Sequence, residues 1–287
     1  MKHYQHHFQA MGSPCQLQLF VKNKQMAKRA VQTVIKEIQR QEAKYSRYLD
    51  DSFLSEINRN AGDVKGIRVD TETAALLDYA DNCYQQSEGL FDISAGVLAK
   101  AWDFKRNRLP EKSLVESLLK RVGWDKIQWR SPYLYLPKGM ALDFGGIVKE
   151  YAVDTAVGLC QQQGITSGLI ELGGDVRAIG AMPEGQAWQI GIAHPRKPKQ
   201  LLTHLQLYSG AIASSGDYER YIEVDGQRYC HILNPKTGYP IDSQYLHSVT
   251  VIAEHCVVAG SLATIAQLKQ ADGKAWLAQS GCDYICY

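Results

Sequence analysis

The sequence lacks several features by which common classes of protein are recognised. Its seven cysteines form no CxxC pair, so neither a zinc-ribbon site nor a thioredoxin-like site is expected. No GxGxxG fingerprint is present, and no apolar run approaches the roughly 18 residues of a membrane span. Basic residues number 32 against 30 acidic ones and are dispersed along the chain. This balance excludes nucleic acid as an expected partner.

The start of the chain also lacks a feature. Residues 1–8 contain no apolar stretch of the length that a signal peptide requires. Scattered cysteines, odd in number, suit a reducing compartment. We therefore expect a cytoplasmic location, and a leader removed before Met1 stays open as an alternative.

No repeat, low-complexity tract or linker rich in proline and glycine divides the chain, so residues 1–287 are expected to form one domain. Alternating apolar residues predict a strand over 15–21, and apolar residues at helical spacing predict a helix over 26–44. Further helices are predicted over 71–87 and 147–163, and further strands over 167–172, 188–193, 202–207, 219–224 and 248–253. Strands and helices do not alternate regularly, which favours an α+β fold over a doubly wound sheet.

Residues 141–154 have the pattern of a strand, a glycine turn and the start of a helix. Gly145 and Gly146 would let the backbone approach a ligand closely, and the new helix would offer N–H groups suited to phosphate. Lys149 would add a positive charge. A plain turn in which Asp143 caps the helix is an equal alternative.

Two other segments place glycines or a carboxylate near turns. Gly173 and Gly174 follow an apolar strand and suggest close backbone approach or a bulge, with a tight turn as the preferred alternative. Asp92 precedes a Ser/Gly turn and a predicted helix, where its carboxylate could accept hydrogen bonds from a ligand. A helix cap is the preferred alternative for Asp92.

A further segment joins Ser215, in the stretch 213–218, to His231, which precedes an Asn-Pro-Lys-Thr-Gly turn. A histidine that titrates near neutrality can take a proton from a hydroxyl nucleophile. A lone histidine is nevertheless more often structural, and the adjacent turn favours catalysis only modestly.

The order and spacing of these segments together resemble the ApbE family, the FAD:protein FMN transferases. The resemblance covers nearly the whole chain. It rests on Met11-Gly12-Ser13, which is similar to the family's opening Met-Gly-Thr strand, on residues 45–58, and on Gly89-Leu90-Phe91-Asp92, residues 142–149, residues 172–175, residues 215–218 and residues 231–238.

The resemblance implies an α+β, T-fold-related architecture in two structural halves with an FAD cleft between them. It implies a Mg²⁺-dependent reaction in which the FMN moiety of FAD is joined by a phosphoester to a Thr or Ser of an acceptor flavoprotein, and AMP leaves. Attack of a neutral hydroxyl on a charged pyrophosphate requires charge neutralisation, a base and alignment.

The resemblance also implies roles for individual residues. His231 matches the histidine that activates the acceptor hydroxyl, and Gly146 matches a residue whose backbone carbonyl ligates magnesium. Thr264 matches a second metal ligand. The predicted FAD-binding residues are Met11, Tyr48, Asp92, Asp143, Lys149, Gly173, Gly174 and Ser215.

Two positions depart from the family pattern. Gly260 stands where the family has a metal-ligating aspartate, and magnesium prefers carboxylate oxygen. Glu150 replaces the usual glycine after the lysine, a change expected to matter less because a helix tolerates glutamate. The chain is then a weak transferase that borrows its metal through FAD phosphates, an FAD-binding paralogue with impaired or no transfer, or a form in which an engineered glycine traps FAD.

A second class of function is independent of the family. The glycines would merely shape turns in a non-enzymatic α+β interaction protein. A purified sample that is colourless and takes up no FAD would favour this class.

Overall fold

The computed structural model, which describes residues 1–104 and 106–287, mixes strands and helices along the chain. The strands are β1 (Lys2–Ala10), β2 (Ser13–Val21), β3 (Ile67–Arg68), β4 (Gln128–Arg130), β5 (Tyr133–Tyr135), β6 (Gly168–Leu172), β7 (Asp175–Gly180), β8 (Trp188–Ala193), β9 (Leu201–Leu207), β10 (Ala211–Gly216), β11 (Tyr221–Val224), β12 (Gln227–Cys230), β13 (Ser248–Ala253) and β14 (Asp283–Cys286). The α-helices are α1 (Lys24–Tyr45), α2 (Phe53–Arg59), α3 (Thr71–Gln86), α4 (Lys112–Leu119), α5 (Val148–Gln162), α6 (Cys256–Lys269) and α7 (Gly273–Leu277). The predicted helices correspond to α1, α3 and α5, and the predicted strands correspond to β2, β6, β8, β9, β11 and β13.

The main sheet is antiparallel, with the spatial order β1-β2-β6-β7-β10-β13-β14. Successive side chains of a strand point to opposite faces. In β6, Ile170 and Leu172 therefore join the core on one face, whereas Leu169 joins the core on the other. The β8–β9 hairpin covers that second face through Trp188 and Leu207.

Helices α1, α5 and α6 cover the first face of this sheet. In α1 the buried residues Ala27, Ala30, Val34 and Ile38 recur at helical spacing, so one stripe faces the sheet. Asn23 caps α1, because its side-chain oxygen accepts the backbone N–H of Met26 at 2.9 Å. The cap and the stripe together fix where α1 begins and which face it buries.

A second core lies against α6 from its other side. This core contains buried residues of α2 and α3, of the small sheet β3-β5-β4, and of residues 140–148. Ala259 and Ala263 of α6 belong to the first core, whereas Ile265 and Leu268 belong to the second. A helix that is apolar nearly all round is buried on both sides, and α6 therefore joins two structural halves.

The predicted strand before the glycine pair at 145–146 is wrong. Residues 141–144 are not part of a sheet. The amide of Asn58 takes the place of a neighbouring strand, since it accepts the N–H of Leu142 at 2.7 Å and donates to the carbonyl of Leu142 at 3.0 Å. Met11 and Gly12 likewise form the turn between β1 and β2, and strand β2 begins only at Ser13.

The irregular mixture of elements confirms the predicted α+β class. Within the described residues, no helix has both the length and the apolar character needed to cross a bilayer.

Candidate active site

Two turns lie side by side at one end of the main sheet. Met11 and Gly12 connect β1 to β2, and Gly173 and Gly174 connect β6 to β7. The N–H of Gly173 donates to the carbonyl of Pro14 at 2.9 Å. Both Gly173 and Gly174 have positive φ, and a Cβ on Gly173 would lie 2.8 Å from the Ser13 hydroxyl oxygen. The tight-turn alternative for this pair is confirmed, and only glycine fits at position 173.

Lys149, in the first turn of α5, lies beside the β6–β7 turn. Its ammonium group pairs with Oδ2 of Asp175, and its Cδ would lie 3.7 Å from a Cβ on Gly173. The other oxygen of Asp175 accepts the backbone N–H of Ser214 at 3.1 Å. Asp175 is only 2% exposed. The lysine is therefore oriented by a buried carboxylate that is itself held by β10.

Ser215 and Thr264 connect β10 to α6 near this cluster. Their hydroxyl oxygens are 3.5 Å apart, and the side-chain amide of Gln267 donates to the carbonyl of Ser215 at 3.2 Å. The hydroxyls of Ser215 and Thr264 thus lie close together. Ser215 directly follows Ser214, whose backbone N–H donates to Asp175.

Asp143 and Tyr48 meet through Arg47. The guanidinium of Arg47 donates to Oδ2 of Asp143 and to the hydroxyl of Tyr48, each at 2.8 Å. Asp143 also accepts the N–H of Gly145 at 2.8 Å, and no side chain caps α5. Asp143 therefore stabilises the glycine turn, and the helix-cap alternative for it is wrong. Tyr48 is 74% exposed, so most of its side chain is open to solvent.

Asp92 is held by backbone groups. Its Oδ1 accepts the N–H of Ser94 at 2.8 Å and its Oδ2 accepts the N–H of Trp124 at 3.0 Å. Desolvation raises the pKa of this carboxyl group, and the hydrogen bonds oppose the rise. Because Asp92 is the N-cap of the 3₁₀-helix Ile93–Lys100, the capping alternative is confirmed.

The segments that contain Asp92 and Asp143 touch one another. The N–H of Asp143 donates to the carbonyl of Ile93 at 2.9 Å. A Cβ on Gly96 would lie 2.6 Å from the Cβ of Asp143, so this approach requires glycine. A Cβ on Gly146 would lie 3.3 Å from the ring of Phe91. The structure thus brings Asp92, Asp143 and Gly146 into one neighbourhood.

His231 follows β12 and is exposed. Its Nδ1 lies 3.2 Å from the carbonyl oxygen of Arg220. A carbonyl only accepts, so Nδ1 carries the hydrogen and the lone pair is on Nε2. Desolvation by surrounding protein atoms lowers the pKa of His231 from 6.5, and the Arg220 carbonyl partly offsets this effect. The imidazole is therefore neutral near pH 7.

The predicted residues form groups that differ in how they are linked. Met11, Gly173 and Gly174 lie in two adjoining turns, Lys149 contacts one of them, and Ser215 touches Thr264. In the described part of the chain, no hydrogen bond joins the His231 side chain to the other predicted residues. No set of three or more His, Cys, Asp or Glu side chains among the described residues is arranged to hold a metal ion. The predicted ligands Gly146 and Thr264 offer a carbonyl and a hydroxyl oxygen instead.

Comparison with known proteins identifies the family. The sequence model of the ApbE family matches residues 11–286. This chain belongs to the ApbE family. The match includes each predicted site residue and both structural halves.

Individual ApbE relatives agree with this assignment. The FAD:protein FMN transferase of Haemophilus influenzae is 32% identical over 245 residues, which are 82% of this chain and 70% of the relative. That of Treponema pallidum is 30% identical over 277 residues, which are 88% of this chain and 75% of the relative. The crystal structure of the ApbE protein of Thermotoga maritima matches with a TM-score of 0.91 and 29% identity, covering 99% of this chain and 94% of that one. The flavin transferase ApbE of Vibrio cholerae matches with a TM-score of 0.85 and 25% identity, covering 99% and 94%.

The two departures from the ApbE pattern are in contact with each other. A Cβ on Gly260 would lie 2.6 Å from Cγ of Glu150 and 3.1 Å from its Cδ. The side chain of Glu150 therefore fills the space beside Gly260, a contact that the expectation for Glu150 did not include. Sequence position alone could not reveal this contact, since it joins two helices that are more than 100 residues apart in sequence.

Sequence reasoning also missed two residues that orient the predicted ones. Arg47 holds Asp143 and Tyr48, and Asp175 holds Lys149. Asp175 had a signal, because it directly follows the glycine pair in a motif that matches the ApbE family. Arg47 also lies within a matching stretch, but nothing in the sequence identifies Asp143 as its partner.

Proposed function

We propose that this ApbE protein transfers the FMN moiety of FAD to a Thr or Ser hydroxyl of an acceptor flavoprotein and releases AMP, with Mg²⁺ as cofactor. The acceptor oxygen attacks the phosphorus on the FMN side of the pyrophosphate. The bond from that phosphorus to the bridging oxygen breaks, and the bridging oxygen leaves with AMP.

The observation that carries this proposal is the convergence of Met11, Lys149, Gly173, Ser215 and Thr264 at one end of the main sheet. These residues come from motifs that are far apart in sequence. The names of the curated relatives support the same activity, since they are FAD:protein FMN transferases.

Lys149 and the start of α5 suit a pyrophosphate. The N–H of Val148 donates to the carbonyl of Phe144 at 2.9 Å, and no side chain caps α5 in the described structure. The next N–H groups, those of Lys149 and Glu150, are therefore the ones suited to an anionic ligand. The ammonium group of Lys149 lies in the first turn of the same helix, and its pairing with Asp175 limits where it can point. At Gly174 no atom would lie within 4 Å of a Cβ, so the backbone of the β6–β7 turn is open there. These groups would neutralise and align the phosphates.

His231 suits the role of general base. The Arg220 carbonyl fixes the hydrogen on Nδ1, which leaves Nε2 free to accept the proton of the acceptor hydroxyl. The lowered pKa keeps the imidazole unprotonated at neutral pH. The proton released by the attacking hydroxyl therefore ends on Nε2 of His231.

The residues present also fit a magnesium ion. Thr264 offers a hydroxyl oxygen and Gly146 a carbonyl oxygen, and both are hard ligands of the kind that Mg²⁺ accepts. The ion would supply charge neutralisation at the phosphate oxygens during transfer. The hydroxyl oxygens of Thr264 and Ser215 lie 3.5 Å apart, which limits the positions open to the Thr264 hydroxyl.

The flavin and adenine parts of FAD would contact the remaining predicted residues. The exposed ring of Tyr48, with the guanidinium of Arg47 4.9 Å from its centroid, offers a surface on which an aromatic ring can stack. Asp143, Asp92 and Met11 would contribute polar and apolar contacts around it. Because both oxygens of Asp92 already accept N–H groups, its contact with FAD uses the remaining lone pairs.

A transfer assay with His231→Gln tests this function. We expect covalent flavin on an acceptor flavoprotein and an equal amount of AMP from the parent. The variant should lose about 10²- to 10⁴-fold in rate because it lacks a base, while FAD affinity stays within about twofold. In-gel flavin fluorescence and chromatography of AMP measure the products. His204→Gln on β9, an exposed histidine, is the matched control and should behave as the parent.

The pH profile sharpens the same test. The pKa of His231 is lowered, so the unprotonated base is lost only as the pH falls below the ordinary value of 6.5. The parent's rate should therefore be flat near pH 7 and fall at lower pH, and His231→Gln should lack this limb. Bound FAD without AMP release at any pH would instead identify a flavin-binding paralogue, and absence of FAD uptake would favour an interaction protein.

We further propose that residues 1–287 act as one flavin transferase domain in the cytoplasm, on an acceptor flavoprotein in the same compartment. The seven free cysteines suit a reducing environment. Packing of α6 against both cores supports a single folding unit, which should unfold in one cooperative transition.

A further inference from the structure

We propose that Glu150 supplies the carboxylate ligand of the divalent cation, from α5 instead of α6, and that Gly260 is the space this exchange requires. The inference rests on the proposed function for the identity of the cation. The absence of an aspartate at position 260 led to the expectation of a weak metal site or of a metal held through FAD phosphates. In the present inference the carboxylate ligand is retained but comes from a different helix.

Contact between positions 150 and 260 makes the two departures a single exchange. Any side chain at 260 would place its Cβ 2.6 Å from Cγ of Glu150. An aspartate at 260 and the present conformation of Glu150 therefore exclude each other. A glycine at 150 would leave room for that aspartate, and a glycine at 260 leaves room for Glu150.

The register of the two helices places Glu150 on the same interface as the predicted ligand Thr264. Asp154 accepts the N–H groups of Cys256 and Val257 at 2.8 and 3.0 Å, which fixes the start of α6 against α5. Position 150, one turn before Asp154, meets Gly260, so the helices run antiparallel. Thr264 follows Gly260 by one turn on the same face of α6, and Gly146 lies in the turn that precedes α5. From Glu150, both predicted ligands therefore lie in the direction of the N-terminal end of α5.

The Glu150 carboxylate has one oxygen to offer. The residue is 8% exposed, and its Oε1 lies 3.1 Å from the ammonium group of Lys149. Its Oε2 is buried without a hydrogen-bond partner. A buried acceptor without a partner is unfavourable unless a ligand fills it. A divalent cation bound at Oε2 satisfies this acceptor, and its double positive charge is strongly attracted by the carboxylate.

The resulting donor set is typical of magnesium. It combines a carboxylate, a backbone carbonyl and a hydroxyl, all hard oxygen ligands, and leaves further positions to phosphate and water. Lys149 pairs with Glu150 and Asp175 and so lies beside the same phosphates. The carboxylate thus comes from the residue next to the lysine in sequence.

The test measures binding of Mn²⁺, as a spectroscopic substitute for Mg²⁺, to FAD-saturated protein by electron paramagnetic resonance. Glu150→Gln keeps the shape and removes the charge, and should weaken Mn²⁺ binding about tenfold or more. Glu116→Gln is the matched control, an exposed glutamate on α4, and should leave Mn²⁺ affinity within about twofold of the parent. Circular dichroism and metal-free FAD binding verify that each variant folds.

The reciprocal exchange gives the decisive variant. Gly260→Asp alone should also weaken Mn²⁺ binding, since the new side chain collides with Glu150. The double variant Glu150→Gly/Gly260→Asp should bind Mn²⁺ within about threefold of the parent, because a carboxylate again faces Thr264. Parent-like Mn²⁺ affinity in Glu150→Gln, or tighter binding in Gly260→Asp alone, overturns the inference.

The transfer assay separates this inference from the proposed function. Loss of Mn²⁺ binding in Glu150→Gln, with no FMN transfer by the parent, supports the ligand and refutes the transferase. Full transfer by the parent, with unchanged Mn²⁺ affinity in Glu150→Gln, supports the transferase and refutes the ligand.

Discussion

Asp92 and Glu150 are two poorly solvated carboxylates whose oxygens are treated differently by the protein. Each oxygen of Asp92 accepts a backbone N–H, from Ser94 and from Trp124. Glu150 has a lysine at one oxygen and no partner at the other. Burial alone therefore does not identify a ligand. The two residues differ in whether their oxygens already accept hydrogen bonds from the protein. A carboxylate whose two oxygens both accept N–H groups is structural, whereas one with an unpartnered oxygen is available to a cation.

The largest expected effect is a loss of folding stability when Asp92 is substituted. Asp92→Ala removes the cap of the 3₁₀-helix and leaves the Trp124 N–H without its acceptor. We expect a loss of about 2–3 kcal/mol in the free energy of unfolding, measured by urea denaturation. Asp51→Ala, an exposed aspartate before α2, should change this free energy by less than about 0.5 kcal/mol. Equal losses in the two variants would contradict a structural role for Asp92.

The fold and much of the site could be predicted because their signals are local. Apolar spacing located α1, α3 and α5, and the glycine turn at 173–174 followed from an apolar run ending in two glycines. The segment at 141–144 failed because its backbone partner is the side chain of Asn58, which no local pattern contains. The contact of Glu150 with Gly260 could not be predicted for the same reason, since it crosses the α5–α6 interface.

A second prediction tests the crowding at that interface. In isolation Gly260→Ala should stabilise α6 by about 1 kcal/mol through helix propensity. With Glu150 present, the new Cβ lies 2.6 Å from Cγ of Glu150, and overpacking should make the net change a loss of about 1 kcal/mol.

The double-mutant cycle isolates the contact. In a Glu150→Ala background the same Gly260→Ala change should become stabilising, which gives a coupling free energy of about 1–2 kcal/mol between the two positions. Thermal or urea unfolding of the four proteins measures it. Additive effects would mean that the two side chains do not compete for the same space.

The smallest expected effect is on the metal-free stability of Glu150→Gln. The change removes an ion pair with the partly exposed Lys149, which destabilises the folded chain, and it removes a buried charge with an unfilled oxygen, which stabilises it. The two contributions oppose each other, so the free energy of unfolding should change by less than about 1 kcal/mol, in contrast to Asp92→Ala. Added FAD and Mg²⁺ should then stabilise the parent more than the variant, because only the parent binds the cation with a carboxylate. A loss of several kcal/mol before any ligand is added would assign Glu150 to the structural class that Asp92 represents.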